Sequence, residues 1–320
     1  MKKTWKIASL CILALGLVAF VGFRGRPKSS FNFYEFWRHA NEAEYLFDYK
    51  KDYAAALKEF KWMEKNGNEY FPGLNEFLEE AICYAKLGDT AMATNCLRKA
   101  VLRGYVNIDE DAQWAKKEIG NKSYVLIKQE LPELRRHYYA SSTLNIYARL
   151  EEQKHGAIDQ FVRSNRVLKM LKKEDANALM HYADSLNITE FITSLKKGDV
   201  PPTSWLLYHL YDEHDKYFPF LDSCLLRHIF AGKSAPGAYA FWYDRQCVYV
   251  QNRPQKYGEY ISNGIFDLNA KTPSRPTIEG KLNVDSVDFY RAQIGLPPLW
   301  QDALRINFEL PAGYKYVSKE

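Results

Sequence analysis

Phe77-Leu78-Glu79-Glu80-Ala81-Ile82-Cys83-Tyr84-Ala85-Lys86-Leu87-Gly88-Asp89-Thr90-Ala91-Met92-Ala93-Thr94-Asn95-Cys96-Leu97-Arg98-Lys99-Ala100 is the stretch that decides the fold. Phe77, Ala81 and Tyr84 recur at helical spacing on one face of a first helix. Leu87-Gly88-Asp89 makes a turn, and Ala93, Leu97 and Ala100 fall on the facing side of a second helix. Small side chains at Ala81, Ala93 and Ala100 let the two backbones approach, while Phe77, Tyr84 and Leu97 fill the groove beside them. The spacing predicts a tight antiparallel helical hairpin.

From Phe31 to Tyr105 the apolar residues keep the helical period, and the Ala-rich pair is echoed at roughly 35 residues, as short helical repeats are. The earlier copy holds Asp52-Tyr53 followed by Ala56, Phe60 and Met63, after a helix containing Ala40, Ala43 and Phe47. A third, degenerate pair runs from Asp109 to Gln129. Across residues 31–137 this pattern resembles the tetratricopeptide repeat. It departs from it in the leading helix of the first copy, and at Tyr105, where such a unit ends in Pro. The resemblance implies a concave surface that docks a peptide; a purely structural brace for the residues that follow is the equal alternative. About three stacked units are needed for independent stability, so the hairpins are expected to lean on what comes after them.

A chain of 320 residues with 47% hydrophobic and 15% aromatic content can bury the cores of two domains. Its 44 basic and 39 acidic side chains leave a net charge of +5 scattered along the sequence, so no nucleic-acid partner is indicated. Residues 1–30 follow the order of an export signal: Lys2, Lys3 and Lys6, an apolar run from Ile7 to Phe23, then Arg24, Arg26 and Lys28. The run is near the lower limit for spanning a bilayer, and Ala19 and Gly22 are the nearest small residues to a cleavage site. A removed signal peptide and an uncleaved membrane anchor both stay open, and both place the body in the periplasm or on the extracytoplasmic face of the membrane. Cys11 follows bulky Leu10 inside the apolar run, which argues against lipidation. Cys83, Cys96, Cys224 and Cys247 form an even set that export permits to pair, with buried free thiols as the alternative; they lack C-x-x-C spacing, so no metal is indicated.

A second organisation, residues 138–320, begins near Tyr138 after Leu131-Pro132. Helical periodicity covers Ala157–Lys172, Ala176–Lys197, Ser204–His214 and Phe218–Phe230, and a further helix after Ala235-Pro236-Gly237 leads to Asp244-Arg245. Cys247–Val250 and Tyr257–Ile261 have the composition of two short strands flanking Asn252-Arg253-Pro254, a β-hairpin. Asn269 to Gly280 is rich in Pro, Thr and Lys and is expected to be a loop, and a last helix over Val284–Ile294 stops at Gly295 ahead of Pro297-Pro298. The expected fold class is mainly α: TPR-like helical hairpins followed by an α-rich domain with a small β-hairpin.

Asp244-Arg245, Arg253-Pro254-Gln255-Lys256-Tyr257-Gly258, Val287-Asp288 with Arg291, and Ile294-Gly295-Leu296-Pro297-Pro298-Leu299 resemble a family of bacterial domains of unknown function, the one numbered sixty-six twenty-four. Asp159-Gln160 with Arg163, Gly198 to Pro201 and Trp205-Leu206-Leu207 fit the same pattern, which covers about half the chain. His214-Asp215 stands nearest to a His-Asp pair of that family, with His209 close by. The resemblance implies a fold neighbourhood and supplies no mechanism.

Two functions compete. In the first, the chain is a non-catalytic interaction or scaffold protein of the cell envelope, taking a protein or peptide partner. In the second, it is a hydrolase-like enzyme. His214 would then be a general base beside Asp244 and Arg245, and Asp159, Arg163, Asp288 and Arg291 would line a polar cleft whose arginines bind an anion. Against the second, Asp159–Arg163 and Asp288–Arg291 have the spacing of ordinary helical ion pairs. Gln255, Tyr257 and Gly258 either line a pocket or satisfy a turn of unusual backbone shape. Tyr239-Ala240-Phe241-Trp242-Tyr243 is assigned to core and rim rather than to a ligand platform. No nucleophile elbow, phosphate loop, zinc-protease helix or dinucleotide fingerprint is present, so no cofactor is implied.

Overall fold

Asp89 shows how the hairpin is punctuated. Its carboxylate accepts the Met92 backbone N–H at 3.0 Å, which starts one helix, while its own N–H donates to the Tyr84 carbonyl at 2.9 Å, which closes the one before. Asp52 does the same one repeat earlier, taking the Ala55 N–H at 3.0 Å. In the computed structural model the described residues are 31–68, 70–140, 154, 156–197, 214–261 and 276–315. The export signal or anchor, Cys11 and the Ser204–His214 helix up to its last residue lie outside them.

The described residues are mainly helical. Helix α1 (Phe33–Glu44) runs on into one π-helical stretch, Tyr45–Lys50, and packs against α2 (Tyr53–Asn66). Helices α3 (Leu74–Lys86) and α4 (Thr90–Leu102) form the tightest pair. Ala81, Ala93 and Ala100 are each 0% exposed at their seam, as their size requires. A third pair, the short α5 (Ala112–Glu118) and the long α6 (Asn121–Ala140), packs on the second through Ile119, Tyr124, Ile127 and Leu131. Pro132 does not end α6. The one N–H it withholds is outweighed by burial of Leu131, Leu134 and Tyr138 along the same helix.

Beyond it come α7 (Asn165–Met170), α8 (Lys173–Lys197), α9 (His214–Phe230), α10 (Pro236–Tyr249), α11 (Val287–Gln293) and α12 (Leu299–Ile306). The expected β-hairpin is not there. Cys247, Val248 and Tyr249 are the last turn of α10, continuing the apolar spacing of Tyr239, Trp242 and Cys247. The 255–261 segment bends around Asp244, and it pairs with the 278–282 segment only through isolated bridges between Gln255 and Leu282 and between Ile261 and Ile278. Pairing with a segment roughly twenty residues on, reached from Ile278 in a stretch expected to be a loop, is why local pattern misplaced it. Helix α12 was also missed. Pro297-Pro298 ends one helix and, because a Pro is tolerated at a helix start, leads into the next.

The described residues from Asn32 onward make one compact unit. Within it α11 and α12 dock on α1. Asn41 donates to the Gly295 carbonyl at 2.9 Å, Gln301 donates to the Asn41 carbonyl at 3.0 Å, and Tyr34 donates to the Gln293 carbonyl at 3.2 Å. Gly295 has φ +76°, and a Cβ there would lie 3.1 Å from both Phe33 and Trp37, so the close approach of the two segments needs a glycine. Among the described residues no helix is long and apolar enough to cross a membrane.

Candidate functional site

Two places gather polar side chains that the sequence singled out, and a third was not foreseen. The first is built around Arg291 on α11, which is 0% exposed. Its guanidinium donates to the Pro297 carbonyl (2.6 Å), the Tyr257 carbonyl (2.7 Å), Glu259 Oε1 (2.8 Å) and Asp302 Oδ2 on α12. Asp244 on α10, also 0% exposed, accepts the backbone N–H groups of Lys256 (2.7 Å), Tyr257 (3.0 Å) and Glu259 (2.8 Å). Gln255 completes the loop: its amide donates to the Tyr260 and Glu279 carbonyls at 2.8 and 2.5 Å, and its oxygen accepts the Tyr260 N–H at 3.1 Å. Gly258 carries φ +70°, with Leu299 3.1 Å from where a Cβ would stand. Tyr257 is buried against Tyr239 and Tyr243.

Here the expected Asp288–Arg291 helical pair is replaced by other partners. Asp288 accepts the Leu299 N–H at 2.8 Å, so it holds the start of α12, and the Tyr314 hydroxyl donates to it at 2.6 Å. Arg291 turns instead to the carboxylates that α12 and the 255–260 loop bring to it. Burial pushes the Asp244 carboxyl up to about 6, against the pull of its backbone donors, and the Glu259 carboxyl up to about 7, against Arg291. Arg245 is buried with its guanidinium 5.8 Å from the centre of the Tyr249 ring. Apart from the Gln255–Tyr260 bonds, which hold the loop on itself, the bonds of Asp244, Gln255 and Glu259 tie one chain segment to another.

The second place joins Asp159 and Arg163 as the sequence spacing predicts, and Arg163 also forks onto both oxygens of Asp184 on α8, at 2.7 and 2.9 Å. His214 is the first residue of α9, and its side chain lies outside the described residues. Cys83, Cys96, Cys224 and Cys247 are free and buried.

The third place is a groove of about 420 Å³ across the hairpins, lined by Phe47 of the π-helical stretch, Tyr53 of α2, Leu78, Glu79 and Ile82 of α3, and Trp114 of α5. Trp114 is 39% exposed. The successive hairpins place these side chains side by side because Leu78 and Ile82 stand one turn apart on α3, between the end of the first hairpin and the start of the third. Lys51 and Lys86 stand at its walls, Lys86 bound to Glu118 at 3.0 Å and Lys51 with its ammonium 5.7 Å from the Phe47 ring centre. Of this lining, the sequence names Phe47 and Tyr53 as parts of the first hairpin, and none of it as a site. The missed signal was the run of Leu78, Glu79 and Ile82, which flanks Ala81 on α3. Comparison with known protein families, with curated proteins and with solved structures returns no match for this chain.

Proposed function

We propose that this chain is a protein-interaction module of the cell envelope, in which the hairpin groove docks a peptide of a partner protein and residues 138–320 brace that surface. In this reading residues 31–137 are the tetratricopeptide-like part, the C-terminal half belongs with the bacterial domains it resembles, and residues 1–30 deliver the chain to the extracytoplasmic side. The observation that carries the reading is the groove itself: an aromatic and aliphatic floor with a few charged groups at its walls, contributed by three successive hairpins. It has the size and chemistry of a ligand site, whereas Asp244, Gln255 and Arg291 of the C-terminal half are consumed in holding backbone segments in place. The hydrolase alternative needs Asp244 open to a substrate, and its carboxylate is enclosed by backbone donors.

A photo-crosslinking amino acid placed at Leu78 or Trp114 tests this in intact cells. Trapping of a discrete protein partner from these two positions, and not from exposed Tyr182 on α8, is expected. Equal trapping from all three positions, or none from the groove, overturns the docking reading.

A further inference from the structure

We infer that the occupant of the groove is a peptide that presents a lysine or arginine to Glu79, with an aliphatic or aromatic neighbour laid on Leu78, Ile82 and Trp114. This rests on the docking reading above and names the partner's chemistry. The apolar floor accounts for the neighbour. The charge balance around it accounts for the cation.

Four carboxylates, Glu44, Asp48, Glu76 and Glu79, interact across α1, the π-helical stretch and α3. The cations facing them have other contacts, and among the described residues none forms an ion pair with Glu79. Arg305 of α12 binds Glu44 at 2.6 Å and Asp302 at 3.2 Å; Lys86 is held by Glu118 at 3.0 Å; Lys51 stands over Phe47 and attracts Asp48; Arg103 attracts Glu76. Glu76 also accepts the Gly73 N–H at 2.9 Å. Glu79, the carboxylate that lines the groove, has no ion-pair partner among the described residues. Burial first, then the carboxylates of Glu44, Glu76 and Asp48, push it well above the ordinary carboxylate range, against the smaller pull of Arg305. A cation delivered to Glu79 favours its ionised form and is held by it, which an acidic group cannot do. The molecule carries its own precedent: Arg305, on an amphipathic helix with Leu299 and Ala303 buried beside it, already satisfies Glu44 in this manner.

The test is a random dodecapeptide display library panned on the full chain in detergent, with selected peptides then measured by fluorescence polarisation. Groove binders are those lost with L78D or W114A. Among them, Lys and Arg should be enriched next to an aliphatic or aromatic residue. Glu79→Gln should weaken them about tenfold, and added salt should weaken them as well. Glu79→Gln relieves repulsion, so its thermal midpoint should equal or exceed that of the parent; a merely structural role for Glu79 would instead lower the midpoint. Groove binders without basic residues, or with affinity unchanged by Glu79→Gln, overturn this inference and leave the docking reading standing. An absence of groove binders, or a Trp114-dependent self-association that excludes them, overturns the inference; the former overturns the docking reading too, and the latter assigns the groove to a second copy.

Discussion

Replacing Arg291 by Met removes four hydrogen bonds while keeping an unbranched apolar stem in a site that is 0% exposed. Little cavity is created, so the cost is electrostatic. Two carboxylates, Glu259 and Asp302, are left near one another, and the carbonyls of Tyr257 and Pro297 lose their donor. Removing one partner of a buried ion pair costs about 3–5 kcal/mol. Arg305 stays 3.2 Å from Asp302, and the Glu259 side chain keeps 21% of its exposure, which puts the loss near the lower end, about 3 kcal/mol. In a unit of this size each kcal/mol moves the melting midpoint by about 2–4 °C, so R291M should melt roughly 6–12 °C lower by circular dichroism of the full chain. Arg291→Lys should recover little of this, because a compact ammonium cannot fork onto acceptors in several directions. R291M combined with E259Q and D302N should recover part of it by removing the stranded charges. An R291M midpoint within about 2 °C of the parent would refute the structural role of this guanidinium and return it to the pool of anion-binding candidates.

Glu44 and Glu259 are raised by burial to about 7 from an ordinary 4.5. Between those values the folded chain holds protons that the unfolded chain has released, so stability should rise as pH falls from about 8 to about 5, read as a higher urea midpoint, and E44Q should flatten the slope. Below about pH 4.5 the sign reverses, because Glu118 and Glu130, held low by Lys86 and Arg98, become protonated; a midpoint that climbs steadily from pH 5 to 8 would contradict this balance. Gly295→Ala should cost about 1–3 kcal/mol, since it forces an L side chain into positive φ against Phe33 and Trp37; an unchanged denaturation curve would show that α11 does not seat on α1 as described. Burial raises the thiols of Cys83 and Cys96 to about 12 and that of Cys247 to about 11, so in a Cys11→Ser background a thiol reagent at pH 8 should label the folded chain only as fast as it unfolds. Rapid labelling of the native chain would contradict that burial.

The hairpins were legible because their signal is local. Ala81, Ala93 and Ala100 lie within one turn-linked pair, and the Asp52 and Asp89 caps repeat with it. Asp159–Arg163 was legible for the same reason, four residues apart on one helix face. Arg291 was not, because its carboxylate partners come from the 255–260 loop and from α12, while the nearer Asp288 is taken by the start of α12. The 255–261 segment has a partner on the far side of residues 262–275, so no local pattern names it. The groove was hidden by division: half of its lining lies on α3, and the rest comes singly or in pairs from the π-helical stretch, the turn after it, α2 and α5.

The docking of α11 and α12 on α1 links the two halves in a way that bears on the groove. A stack of helical hairpins has an end helix with nothing beyond it, and here α1 carries Phe33, Phe36 and Trp37, which are too apolar to face water. Gly295 and the α11–α12 turn cover that end, and the covering helix brings Arg305 to Glu44. The buried knot of Asp244, Glu259, Arg291 and Asp302 fixes where α12 lies, because Arg291 grips α12 through Asp302 while Asp244 fixes the loop that carries Glu259. The same carboxylate, Asp302, touches both Arg291 and Arg305. Residues most resembling a catalytic constellation therefore act one step removed from the groove: through Asp302 they position Arg305, which pairs with Glu44 and whose charge also reaches Glu79.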